Sequence, residues 1–225
     1  MIGLATATLW DGQAAPLAAS PPTPVAVAVA AQAPPPERTE PVEPPEPIRP
    51  VAAVSPARPM TPERARIFQA VRRHLGRVAS RTGLTHLEID ALAEVVVDES
   101  QRHRLAPELV LAVMQVESGY RNYAVSEKDA MGLMQILPST GRWLAPQIGL
   151  EWKGPQTLFD PVANVRLGVA YLRQLWDRYD NLSAALAAYN WGPGRIDRRI
   201  AAGGPIPVEY TNLVLTALAR QSRPS

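Results

Sequence analysis

Apolar positions recur at helical spacing through most of the chain after Thr61, and before it they follow no period. Thr61-Pro62 reads as a helix start, with Thr as cap and Pro in the first turn. Ile67, Val71, Leu75 and Val78 then mark one apolar stripe, with Arg72, Arg73 and Arg77 on the solvated side. Gly83 breaks the pattern. Thr85 and Glu88 have the spacing of a capping box and open a second helix through Ile89, Leu92 and Val96 to about His103. Pro107 and Glu108 suit the first turn of a third helix, whose Leu109, Val110, Val113 and Val116 form an apolar face up to the stop at Gly119. The first two helices are expected to serve packing beneath the helices that follow.

From Tyr120 to Met131 the helical period is lost, which predicts a loop or small hairpin. Met134 and Gln135 are expected to start a helix reaching Pro138, and Ser139-Thr140 another short one, followed by a polar loop through Trp152 and Pro155. Asp160-Pro161 is a strong helix start, and Val165, Leu172, Leu175 and Trp176 carry the face up to Tyr179. Leu182 to Tyr189 is rich in Ala, which lets two helices approach closely before the turn Gly192-Pro193-Gly194. Glu209-Tyr210 opens a last helix whose Leu213, Val214 and Leu218 are expected in the core. The body is therefore mainly α, with at most a small β-hairpin.

Composition divides the chain. Fifteen of the 24 prolines fall at or before Pro62, a stretch that carries three Arg, no Lys and five acids. Runs such as Pro34-Pro35-Pro36 favour extended polyproline conformations and cannot bury enough surface to fold. Residues 1–60 are thus expected to form a disordered, stiff Pro/Ala-rich tail and residues 61–225 a helical domain. Met1 to Trp10 is apolar and is followed by small residues, but it lacks basic residues and is interrupted at Asp11. It is either a weak export signal or the apolar beginning of the tail. No segment reaches the length of a membrane-spanning helix.

The chain has a net charge of +2, and the body is only mildly basic, unlike the clustered stripe of a nucleic-acid binder. Such a balance is compatible with an acidic glycan polymer. Absence of cysteine excludes disulfides, thiolate metal sites, thiol nucleophiles and a lipid-modified cysteine. His74, His86 and His103 lack metal-ligand spacing and read as solvated helix residues. No metal or cofactor is expected.

Glu117 ends the apolar face of the third helix. The unpaired carbonyls of a last turn disfavour its ionisation, and flanking Val and Met side chains would add desolvation in the same direction. A carboxyl held protonated near neutral pH is what a general acid requires. Taken alone, however, Glu117 reads more readily as an ordinary exposed acid at a frayed helix end. Three further motifs change the balance: Ala124-Val125-Ser126 before a glycine turn, GLMQ at Gly132 to Gln135, and AYN at Ala188 to Asn190. With Glu117-Ser118 they stand in the order of the lytic transglycosylases, and Leu105 to Tyr210 resembles the soluble lytic transglycosylase (SLT) domain family of the lysozyme superfamily.

The resemblance implies a lysozyme-like (goose-type/SLT) helical fold. It implies cleavage of the β-1,4 bond between N-acetylmuramic acid and N-acetylglucosamine in peptidoglycan, with Glu117 as acid and then base, and a 1,6-anhydro product. Ser118, Ser126, Met134, Gln135, Tyr189, Asn190 and Tyr210 would bind substrate. By the same resemblance Met134 lines the cleft, the Tyr189 hydroxyl reaches towards Glu117, and Tyr210 is a second candidate near the acid. On their own residues, Met134 could be core, and Tyr189 and Asn190 a buried tyrosine and a helix-ending asparagine. The family usually has Gly where Asp129 stands, which asks Asp129 to adopt positive φ. A hydrolytic lysozyme needs a second carboxylate, for which Glu127 and Asp129 are the candidates. A silent glycan-binding module is disfavoured by the intact acid. The resemblance places the protein in the periplasm or cell envelope, as a monomer acting on peptidoglycan strands. The Pro-rich tail also suits recruitment to a secretion or pilus assembly machine.

Overall fold

Several helices of the body begin or end where local chemistry sets them. The structure, a computed structural model, describes residues 60–221. Helix α1 (Pro62–Thr82) is capped by the Thr61 hydroxyl, which accepts from the Arg64 backbone N–H at 3.2 Å, and ends at Gly83 in the left-handed region. Helix α2 (His86–His103) opens with the reciprocal Thr85–Glu88 capping box. Helix α3 (Pro107–Ser118) is buried over Leu109 to Met114 without interruption, the pattern of a helix surrounded by protein. Its end is a left-handed cap at Gly119 (φ 59°), with Gly119 N–H donating to Gln115 O and Tyr120 N–H to Met114 O.

Helix α4 (Pro138–Leu144) runs into a short 3-10 turn, and a second such turn spans Pro155–Phe159. Helix α5 (Pro161–Tyr179) is capped by the Asp160 carboxylate on Ala163 N–H at 2.9 Å. Helices α6 (Leu182–Trp191), α7 (Pro193–Ala201) and α8 (Glu209–Gln221) complete the body. Helix α5 packs against α2 on one side and the Ala-rich α6 on the other, while α8 covers α3. The core runs through Leu75, Leu92, Val96, Val110, Val113, Leu167, Leu172 and Leu186.

Several expectations are corrected. Met134 to Pro138 is not helical: Met131 pairs with both Val125 and Ile136 in isolated antiparallel bridges, and α4 starts only at Pro138. Gly192-Pro193-Gly194 is not just a turn, because Pro193 is the first residue of α7. Leu213 is exposed, and only Val214 and Leu218 of its trio face the core. His86 is exposed, but His74 bonds the Tyr120 hydroxyl at 2.7 Å. His103 is buried beside Glu99 at 3.3 Å. Glu99 also lies near Arg102 and Arg166, which gathers four ionisable groups where α2 meets α5. Asp129 does take positive φ, at 60°. The tail and the export-signal reading lie outside the described residues. Among the described residues no helix is long and apolar enough to cross a membrane.

Candidate active site

Glu117 occupies the last turn of α3, one residue before the helix-ending Ser118. The side chain is partly exposed, yet its carboxyl is desolvated. Burial pushes it up to about 7, against a Tyr210 hydrogen bond that pulls the other way. No other charged group contributes to that shift. The Tyr210 hydroxyl, from the first turn of α8, donates to Glu117 Oε1 at 2.5 Å. With Oε1 engaged, Oε2 has no hydrogen-bond partner among the described residues and is the oxygen left to carry a proton.

The sequence reading has Tyr189 reaching for the acid and Tyr210 as the second candidate. The structure gives the direct contact to Tyr210. The Tyr189 hydroxyl instead donates to Met134 O at 2.9 Å, although the ring still lies close enough for Glu117 to raise its titration. Burial is the first cause of that rise, and the same holds for Tyr210. Both phenols therefore stay neutral donors across the working pH range. Tyr171 of α5 packs on Tyr189 with ring centroids 5.4 Å apart.

Met131 to Ile136 forms a tight turn beside the acid. Gly132 (φ 81°) and Gln135 (φ 49°) both take positive φ there. At Gly132 a side chain is excluded for a second reason, since a Cβ would meet Leu158 O and the amide of Asn164. The Gln135 amide nitrogen donates to Ala124 O at 3.1 Å and Gly132 O at 2.9 Å, so it closes the turn on itself. Met134 is fully buried, in line with the core alternative that the sequence leaves open beside the cleft one. Its side chain is lodged against Gly168 of α5, where a Cβ would come within 2.7 Å of Met134 Cβ.

Ser118 is buried as well, and its hydroxyl donates to Met114 O at 3.1 Å and Leu133 O at 2.8 Å. It joins the helix end to the turn and does not face solvent. Ser126 organises the preceding loop: its hydroxyl accepts from Lys128 N–H at 3.2 Å and Ala130 N–H at 3.1 Å. Asn190 is exposed in the last turn of α6, with no partner among the described residues. Of the expected site residues, Tyr210 and Glu117 are in contact, and Ser118, Met134, Gln135 and Tyr189 meet in the turn. Ser126 sits in the adjoining loop.

Sequence reasoning missed Asn164, which is fully buried on α5 and bonds the turn through both ends of its amide. Its signal was an amide inside the apolar stripe that continues at Gly168, Leu172 and Leu175, where a polar residue needs an internal partner.

Residues 94–204 match the transglycosylase SLT domain. Among curated relatives, the membrane-bound lytic murein transglycosylase C of Pectobacterium atrosepticum is 39% identical over 110 residues, which make up 44% of this chain and 30% of the relative. The protein of the same name from Edwardsiella ictaluri is 37% identical over 116 residues, covering 47% of this chain and 32% of the relative. The chain thus spans about a third of the length of these relatives. In three dimensions the body is similar to the 70 kDa soluble lytic transglycosylase of Escherichia coli, with a TM-score of 0.53, 23% identity, and coverage of 71% of this chain and 30% of that one. The lytic transglycosylase Slt of Pseudomonas aeruginosa gives a TM-score of 0.53 at 24% identity, over 68% of this chain and 30% of that one. These likenesses define the fold as the helical, lysozyme-like one of soluble lytic transglycosylases. The family match starts within α2, earlier than Leu105, and stops just before α8 and Tyr210.

Proposed function

We propose that this protein is a peptidoglycan lytic transglycosylase that cleaves the β-1,4 bond between N-acetylmuramic acid and N-acetylglucosamine. The observation that carries this reading is the desolvated carboxyl at the end of α3, with one oxygen bonded by Tyr210. Protonated Glu117 donates from Oε2 to the glycosidic oxygen as the bond to the muramyl C1 breaks. The resulting carboxylate then takes the proton of the same sugar's 6-hydroxyl, whose oxygen bonds to C1. The 1,6-anhydro ring closes, Glu117 regains its proton, and no water is consumed. General acid–base help of this kind is worth roughly 10²–10⁴-fold. Correct placement of the strand supplies the rest.

The names of the curated relatives support the substrate class. A substrate of this kind lies in the bacterial envelope, so export is part of the proposal. Recruitment to an assembly machine through the Pro-rich tail remains compatible with it. The deciding experiment is mass spectrometry of products from purified murein strands. Muramyl ends lighter by one water than the hydrolytic product support the transglycosylase. Ordinary reducing muramic acid would assign the protein to the lysozymes.

A further inference from the structure

The Met131–Ile136 turn is held from outside by side chains of three helices. Ser118 of α3 donates to Leu133 O and Tyr189 of α6 to Met134 O. Asn164 of α5 makes more bonds than either. Its Oδ1 accepts from Met134 N–H at 2.7 Å, and its Nδ2 donates to Met131 O at 2.8 Å and Leu158 O at 2.9 Å. Both amide hydrogens and the oxygen are used, in a residue with no solvent exposure. Four residues on, Gly168 shares the same face of α5 and makes room for the Met134 side chain. Together they form a socket that grips the turn by its backbone and by the buried Met134 side chain.

The socket does not touch Glu117, but its grip reaches the acid by two short routes. Ser118 follows Glu117 directly and donates to the Leu133 carbonyl, the other end of the same peptide group whose N–H is bonded by Asn164. Tyr189 is bonded to the carbonyl of Met134, whose N–H Asn164 accepts. We propose that Asn164 is a positioning residue for the Glu117 site, fixing the turn to which Ser118 and Tyr189 are tied. This rests on the reading of Glu117 as the working acid. If Asn164 is lost, the turn gains freedom, both ties slacken and water reaches the carboxyl.

The test compares Asn164→Ala with Leu75→Ala, a core variant on α1 that removes buried volume without touching the turn. Each full-length variant is assayed well below its own melting temperature. The first readout is the titration of the Glu117 side-chain carbon by 13C NMR, assigned by its disappearance in Glu117→Gln. Asn164→Ala is expected to move the midpoint down by about one pH unit or more, as solvent returns to the carboxyl. Leu75→Ala should leave it in place. The second readout is turnover of murein strands, where Asn164→Ala should lower kcat roughly tenfold or more with little change in KM, and Leu75→Ala should not. An unmoved midpoint in folded Asn164→Ala, or an equal effect in Leu75→Ala, overturns the proposal. If Asn164→Ala does not fold, Ser118→Ala removes one tie alone, and an unmoved midpoint in that variant also overturns it. A wild-type protein without activity on murein would sink the enzymatic reading, whereas the NMR titration would still decide the role of Asn164.

Discussion

The Tyr210 hydroxyl donates to Glu117 Oε1 at 2.5 Å across 93 positions of sequence. This bond favours the carboxylate, and so opposes the burial that lifts Glu117 to about 7. Removing the donor must therefore raise the titration further. In Tyr210→Phe the alkaline limb of the pH–activity profile should move to higher pH, even as turnover falls because the carboxyl is less firmly oriented. A limb that moved to lower pH would show that the ring's chief effect is to exclude water and that the bond is secondary.

Burying an acid that ionises late costs stability at high pH. The unfolded chain releases the Glu117 proton near 4.5, and the folded protein holds it to about 7. Between those values the folded state binds more protons, so stability falls as pH rises and then levels off above 7. Glu117→Gln removes this penalty. It should leave stability unchanged near pH 4 and raise it above pH 7 by up to about 3 kcal/mol, from a shift of roughly two and a half pH units. For a body of this size that is an increase in melting temperature of roughly 5–10 °C. Thermal denaturation of both proteins at pH 4 and pH 8 checks the sign, and a variant that is less stable at pH 8 contradicts it. Murein cleavage should be lost at both.

Three glycines near the site should respond unequally to alanine. At Gly119 (φ 59°) a Cβ meets nothing within 4 Å, so the cost is the backbone conformation alone, about 1–2 kcal/mol. At Gly168 an added Cβ would meet the buried Met134 side chain at its flexible end and also at its Cβ, 2.7 Å away, so the helix and the turn must both give, at a cost of roughly 1–3 kcal/mol. Gly132 combines positive φ with a collision against the Leu158 carbonyl and the buried Asn164 amide, neither of which can move freely. Gly132→Ala should be the most destabilising, by about 3 kcal/mol or more. Denaturant titrations that rank Gly119→Ala below the other two in stability would contradict this ordering.

What the sequence made legible was local. Thr61, Thr85 and Asp160 cap helices through residues three positions away, and Gly119 ends α3 by its own backbone freedom. Glu117 stood out because an acid closes an apolar helix, a pattern contained in a dozen residues. The sequence reads Met134 to Pro138 as a helix, whereas the bonds that make its first residues part of a turn come from Ser118, Asn164 and Tyr189 on three separate helices. Leu-Met-Gln carries good helix formers, and tertiary bonds outweigh that preference. Met134 could not be assigned to core or cleft without Gly168 opposite it. The choice between Tyr189 and Tyr210 depends on where α8 packs, which no local pattern encodes.

The last prediction separates one-carboxyl from two-carboxyl chemistry. A hydrolytic enzyme of this kind needs a second acid held at a defined distance across the sugar ring, roughly 5–9.5 Å from the first. Glu127 and Asp129 are the acids on the segment between Glu117 and the turn, and both are exposed. Neither side chain makes a hydrogen bond or ion pair among the described residues. Their loop is shaped by Ser126, whose hydroxyl accepts two backbone N–H groups and whose carbonyl accepts Asp129 N–H at 3.0 Å. Asp129 adopts the left-handed conformation at φ 60°, which Asn tolerates equally well. The double substitution Glu127→Gln with Asp129→Asn should therefore preserve the loop while removing both charges. Neither charge contributes to the Glu117 shift, so the pH profile should keep its shape. We expect the double variant to retain most of its turnover and to release the same anhydro-muramyl ends. An inactive double variant with an unchanged melting temperature would show that one of these acids works directly on the substrate.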